Sequence, residues 1–78
     1  MDRAMIQDWT DSSVQLKPDL VRDVRYNVYR EGGTHFLEMR NRGDNVHIHT
    51  LELPDGMKLD RASYEVLLRY VLLNVMAA

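Results

Sequence analysis

Two turns constrain this chain more than any other feature. Gly32-Gly33 and Gly43-Asp44 each sit between runs of alternating residues, and glycine accepts the positive φ that a tight hairpin turn demands. They separate VRDVRYNVYR, THFLEMRNR and NVHIHTLEL. A two-residue loop at Gly32-Gly33 sets Glu31 opposite Thr34, Val28 opposite Leu37 and Tyr26 opposite Met39. A second such loop at Gly43-Asp44 sets Arg42 opposite Asn45, Asn41 opposite Val46 and Met39 opposite Ile48. Together the loops place Val24, Tyr26, Val28, Leu37, Met39, Val46 and Ile48 on one face, and a slip of one residue in either would scatter that set. This agreement predicts a three-stranded antiparallel meander over residues 22–53.

The remaining sequence supplies a helix and a sheet edge. Pro54 and Gly56 in LPDG end the third strand in a turn. Asp60 then suits a helix N-cap, with Leu59 and Tyr64 at the spacing of a hydrophobic staple, so a helix is expected over 60–76 with its cap included. In the N-terminal segment, 1–21, the alternation of Val14 and Leu16 suits a fourth strand over 13–17 at a sheet edge, and Pro18 keeps Lys17 extended. The expected fold is a single α+β domain over 1–78: a three- or four-stranded antiparallel β-meander with one C-terminal α-helix packed on one face.

That helix carries more apolar surface than one sheet covers. At 100° per residue, Arg61, Glu65 and Arg69 form one polar stripe, and Ser63 with Asn74 form a thinner one. The broader apolar face between them holds Tyr64, Leu67, Leu68, Val71 and Val75; the narrower holds Ala62, Val66, Tyr70 and Leu73. A domain of 78 residues without cysteine has neither a large core nor a disulfide to support it. Two covers suit the narrower face: the N-terminal residues Met5, Ile6 and Trp9, or the same helix of a second copy. The second is preferred, which makes the expected protein a homodimer joined through Ala62, Val66, Tyr70 and Leu73, with Glu65 and Arg69 complementary across the symmetry axis.

The same hairpin registers fix the opposite sheet face, which carries Arg25, Tyr29, Phe36, Glu38, Arg40, His47, His49 and Leu51. HIH at 47–49 offers two histidines at strand spacing for a metal, with Glu38 nearby, but Arg25 and Arg40 repel a cation, so a His-based metal site ranks low and no cofactor is expected. Arginines beside aromatics also suit single-stranded nucleic acid, yet the net charge is −2 and no segment is strongly basic. Catalysis has least support: no cysteine, no serine in a nucleophile-elbow setting and no glycine-rich phosphate loop are present.

The expected function is that of a small non-catalytic interaction or regulatory protein, accessory or inhibitor in type. It is expected to bind a protein partner through Arg25, Tyr29, Phe36, Arg40, His47 and His49. A dimeric single-stranded nucleic-acid binder using that face is the alternative. The absence of cysteine, of a secretory h-region and of an uninterrupted apolar span points to the cytoplasm and away from membranes.

Overall fold

The computed structural model describes residues 3–75. Four strands form one antiparallel sheet in sequence order: β1 (Arg3–Lys17), β2 (Leu20–Glu31), β3 (Thr34–Asn41) and β4 (His47–Glu52). A helix, α1 (Arg61–Tyr70), packs on one face and continues as a widened π-helical turn over Val71–Val75. The α+β meander expected from the turns is therefore present, with the fourth strand. That strand is 15 residues long, far beyond the segment 13–17 in which alternation was visible.

The first hairpin is as expected. Gly32 and Gly33 adopt φ of 60° and 84°, and Glu31 faces Thr34, Val28 faces Leu37 and Tyr26 faces Met39. The second differs in its loop. Arg42 to Asn45 form a four-residue turn in which Asn45 N–H donates to the Asn41 carbonyl at 2.9 Å. Asn45 takes φ of 62°, a left-handed conformation that asparagine tolerates better than most residues. The Asp44 carboxylate organises the turn by accepting from Asn41 Nδ2 at 2.8 Å and Val46 N at 3.1 Å, and the Asn41 bond first of all holds its pKa below the ordinary value.

Beyond this turn β4 departs from the expected register. Arg40 faces His47 as expected, but Met39 faces His49 rather than Ile48, and Leu37 faces Leu51. Ile48 is the extra residue of a β-bulge. Its cause lies in the sequence: Ile48 and Leu51 are three residues apart, an odd spacing that a regular strand would split between two faces. One extra residue lets both pack against the core. Leu51 therefore leaves the open face on which a regular strand would put it, and His49 leaves with it. Val46, expected in the core, is 58% exposed at the end of the strand pair.

The core lies between the sheet and α1. Val24, Tyr26, Val28, Leu37, Met39 and Leu68 are fully buried, joined by Val14 from β1 and by Leu53, Tyr64, Val71 and Leu72. Tyr64 meets Tyr26 edge-on with centroids 6.0 Å apart, an arrangement favoured by the ring quadrupoles. Leu59 is 42% exposed, and the aromatic contact ties the start of the helix to the sheet. The broader helix face is buried as expected at Tyr64, Leu68 and Val71, with one exchange at its end: Leu72 is buried and Val75 is 42% exposed. The i→i+5 turn over Val71–Val75 holds more residues than an α-turn, so each later side chain lags in angle; Leu72 swings inward and Val75 away. The expected helix end at Met76 lies outside the described residues.

Asp60 caps α1 from an extended backbone, its Oδ1 accepting from Ser63 N at 2.9 Å. That backbone bond is the main reason its carboxyl titrates below the ordinary value. The folded state thus takes up this proton less readily than the unfolded chain. Its contribution is complete above the ordinary carboxyl pKa and lost as pH falls through the depressed one. Asp60→Ala is expected to lower Tm by a few degrees at neutral pH, with the gap from the parent closing in strong acid; a gap that stays constant with pH would separate the cap from the charge.

Candidate functional site

The sheet face away from α1 is open, and its chemistry is set by the odd residues of β2 and the even residues of β3. Asp23, Arg25, Asn27 and Tyr29 pair with Arg42, Arg40, Glu38 and Phe36 along this face, the first through a backbone bond from Arg42 N to Asp23 O of 3.4 Å. Tyr29 and Phe36 stack with centroids 5.4 Å apart and planes 24° from parallel. The Arg3 guanidinium lies 4.0 Å from the Tyr29 ring centre, and Tyr29 is only 8% exposed.

Trp9 completes the face. Between Gln7 and Thr10, β1 is irregular against β2, and Asp8 holds the distortion: its Oδ1 accepts from Trp9 N at 2.8 Å and its carbonyl from Thr10 Oγ1 at 2.9 Å. The bulge re-aims Trp9 so that the Arg25 and Arg40 guanidinium carbons both lie 5.2 Å from its ring centre, within the range of cation–π attraction. Neither Trp9 nor Arg3 was assigned to this face from the sequence. The alternation that carries β2 and β3 fails where β1 bulges, and no simpler signal replaces it.

The charges on this face are largely matched. Arg40 donates through Nε and Nη2 to Glu38 Oε2, both at 3.0 Å; Arg3 pairs with Glu31 at 3.3 Å; Arg42 lies 3.5 Å from Asp11 and 4.0 Å from Asp23. Arg25 alone of these four has no carboxylate partner among the described residues, and its buried Nε has no acceptor. Beside it Asn27, 4% exposed, has an Oδ1 without a donor.

Of the six residues assigned to this surface, Arg25, Tyr29, Phe36, Arg40 and His47 are brought together. His49 is not: it stands opposite Met39, on the core-side parity, and is half-buried. The two histidines are therefore split by the bulge at Ile48 and cannot chelate one ion in this register. His47 Nε2 instead lies 2.7 Å from Thr50 Oγ1. Among the described residues, no three His, Asp or Glu side chains converge on a common point.

The second candidate surface is the narrower face of α1. Val66 is 69% and Tyr70 55% exposed, Ala62 is exposed and Leu73 half-buried. The leading residues do not cover it. Met5 and Ile6 run along the far end of β2 and are themselves exposed, and Trp9 lies on the other face of the sheet. Between α1 and β1 runs a groove of about 660 Å³, lined on the strand side from Ser12 to Pro18 and on the helix side by Ala62, Glu65, Val66 and Arg69. Arg69 bridges it, its Nε donating to the Gln15 carbonyl at 3.1 Å. No helix among the described residues is long and apolar enough to cross a membrane. No protein family, curated protein or solved structure matches the chain.

Proposed function

We propose that this is a small non-catalytic interaction protein, regulatory in the accessory or inhibitor sense and cytoplasmic. It self-associates through Ala62, Val66, Tyr70 and Leu73 and binds a protein partner with the open sheet face. The observation that carries the reading is the cluster of Trp9 with Arg25 and Arg40 on a surface that α1 leaves free. Tryptophan, tyrosine and arginine supply most binding hot spots, because each combines a large apolar body with polar reach. Here they are held by strand pairing and stacking, so little rotamer freedom remains to be lost on binding.

The same aromatics support single-stranded nucleic acid as a second reading, since bases stack on such rings. The charge pattern favours protein. Arg3, Arg40 and Arg42 already face carboxylates, and a phosphate backbone approaching them would also approach Asp11, Asp23, Glu31 and Glu38.

The test is affinity recovery from the native host with and without nuclease, using the parent chain and Trp9→Ala. The expected result is a protein bound stoichiometrically after nuclease treatment, with Trp9→Ala weakening it by about 2 kcal/mol or more, roughly thirtyfold, while circular dichroism stays unchanged. Recovery of nucleic acid that salt removes would establish the second reading instead. Retention of the protein partner by Trp9→Ala at full affinity would place the contact elsewhere.

A further inference from the structure

Two uncovered features of this fold lie side by side: the bare face of α1 and the outer edge of β1, which ends the sheet. The turns determine which β1 amides point outward. A two-residue hairpin closes on a hydrogen-bonded pair, here Glu31 with Thr34, and hydrogen-bonded pairs then recur at every second residue. Tyr29, Asn27, Arg25 and Asp23 therefore bond to β3. The intervening Arg22, Val24 and Tyr26 turn their N–H and C=O groups toward β1, where they face Val14, Ser12 and Thr10. Asp11, Ser13 and Gln15 are left with N–H and C=O directed outward. The Gln15 carbonyl accepts from Arg69, as an outward group can.

Thr10 to Gln15 is also the longest stretch of β1 that pairs with β2 without irregularity; register shifts lie on both sides of it, between Gln7 and Thr10 and between Gln15 and Lys17. Bulges blunt an edge by twisting its amides out of line. This stretch has no such protection, and it is the one that flanks Ala62 and Val66 across the groove.

We propose that a second copy of this chain docks here, Ser13 against Ser13 of the partner subunit about a two-fold axis normal to the sheet, so that the two four-stranded sheets become one. The proposal rests on the self-association advanced above and gives it a geometry. That axis keeps both helices on one face and makes them antiparallel neighbours. Adjacent strands lie about 4.8 Å apart and packed helices about 8–10 Å apart, so helices leaning over paired β1 strands come within reach through Ala62, Val66 and Tyr70. The charges suit a self-match. Glu65 comes opposite Arg69 of the partner subunit, a pairing that draws the guanidinium off the Gln15 carbonyl and frees it for the joint; Asp11 comes opposite Gln15 of the partner subunit, with no like charges opposed on the joined strands. One axis thus satisfies the open amides and the exposed apolar face together.

Amide hydrogen exchange on the full chain, across its dimerisation range, tests this arrangement. The Asp11, Ser13 and Gln15 amides are expected to slow by about tenfold or more on association. Ser13→Pro provides the second arm. The Ser13 N–H makes no bond to β2, so proline at this edge position spares the fold while removing a donor from the joint. It is expected to run as a monomer where the parent and Ser13→Ala run as dimers. A dimer whose three amides exchange at monomer rates overturns the joined edge while leaving helix-mediated association standing. A parent chain that stays monomeric at every concentration overturns both. Should Ser13→Pro fail to fold, the exchange pattern of the parent decides.

Discussion

Tyr70→Glu is expected to run at the single-chain mass of 9.1 kDa at concentrations where the parent runs at twice that value. Tyr70 is 55% and Val66 69% exposed within one chain, so the substitution touches no part of the core and the circular dichroism spectrum should not change. Burying each of these side chains contributes roughly 1.5–3 kcal/mol. The glutamate forfeits the Tyr70 share and adds the cost of taking a carboxylate out of water, several kcal/mol more. Each 1.4 kcal/mol is about tenfold in affinity, so the dissociation constant should rise by several orders of magnitude. The parent's Tm should also climb with protein concentration and that of Tyr70→Glu should not, because only the parent is stabilised by mass action. Equal association by both chains in sedimentation would remove the apolar helix face from the interface.

The parts of this fold that were legible in the sequence are those where turn chemistry and side-chain alternation agree. Gly32 and Gly33 demand a turn with positive φ at both positions, and the alternation of Val24, Tyr26 and Val28 against Leu37 and Met39 admits one register for it. The Asp60 cap was legible for the same reason, since a short polar side chain preceded the helical periodicity. What escaped are the places where the backbone departs from its own period. The bulge at Ile48 moved His49 and Leu51 to the other face, and the odd spacing of Ile48 and Leu51 was its only trace. The distortions of β1 hid both the length of that strand and the placement of Trp9, because local side-chain to backbone bonds from Asp8, not alternation, aim the indole. The burial of the last helical turn escaped because the turn widens at Val71–Val75, which exchanges Leu72 for Val75 in the core. Of the candidate site, then, the arginines and stacked rings on regular strand were readable, and the tryptophan that joins them was not.

Two residues that alternation assigned equally to the core should behave very differently. Leu37 is fully buried at the centre of the sheet, whereas Val46 is 58% exposed beside the Arg42–Asn45 turn. Leu37→Ala truncates a fully buried side chain of the core cluster, and costs about 2–5 kcal/mol through lost burial and the cavity left behind. At roughly 0.05–0.15 kcal/mol per residue, a domain of this size has only about 4–12 kcal/mol in total. Leu37→Ala should therefore be partly or wholly unfolded at 37 °C, while Val46→Ala should stay within about 0.5 kcal/mol of the parent. Urea titrations in a Tyr70→Glu background read the difference without a contribution from association, and the slope of each transition reports whether the unfolded surface is unchanged. The contrast isolates what the second turn does. Asn41 still stands opposite Val46, its N–H donating to the Val46 carbonyl at 2.8 Å, but the turn organised by Asp44 leaves that end of the hairpin in solvent. Equal losses for the two substitutions would mean that the Asn41–Val46 end of the hairpin is packed in solution rather than open to solvent.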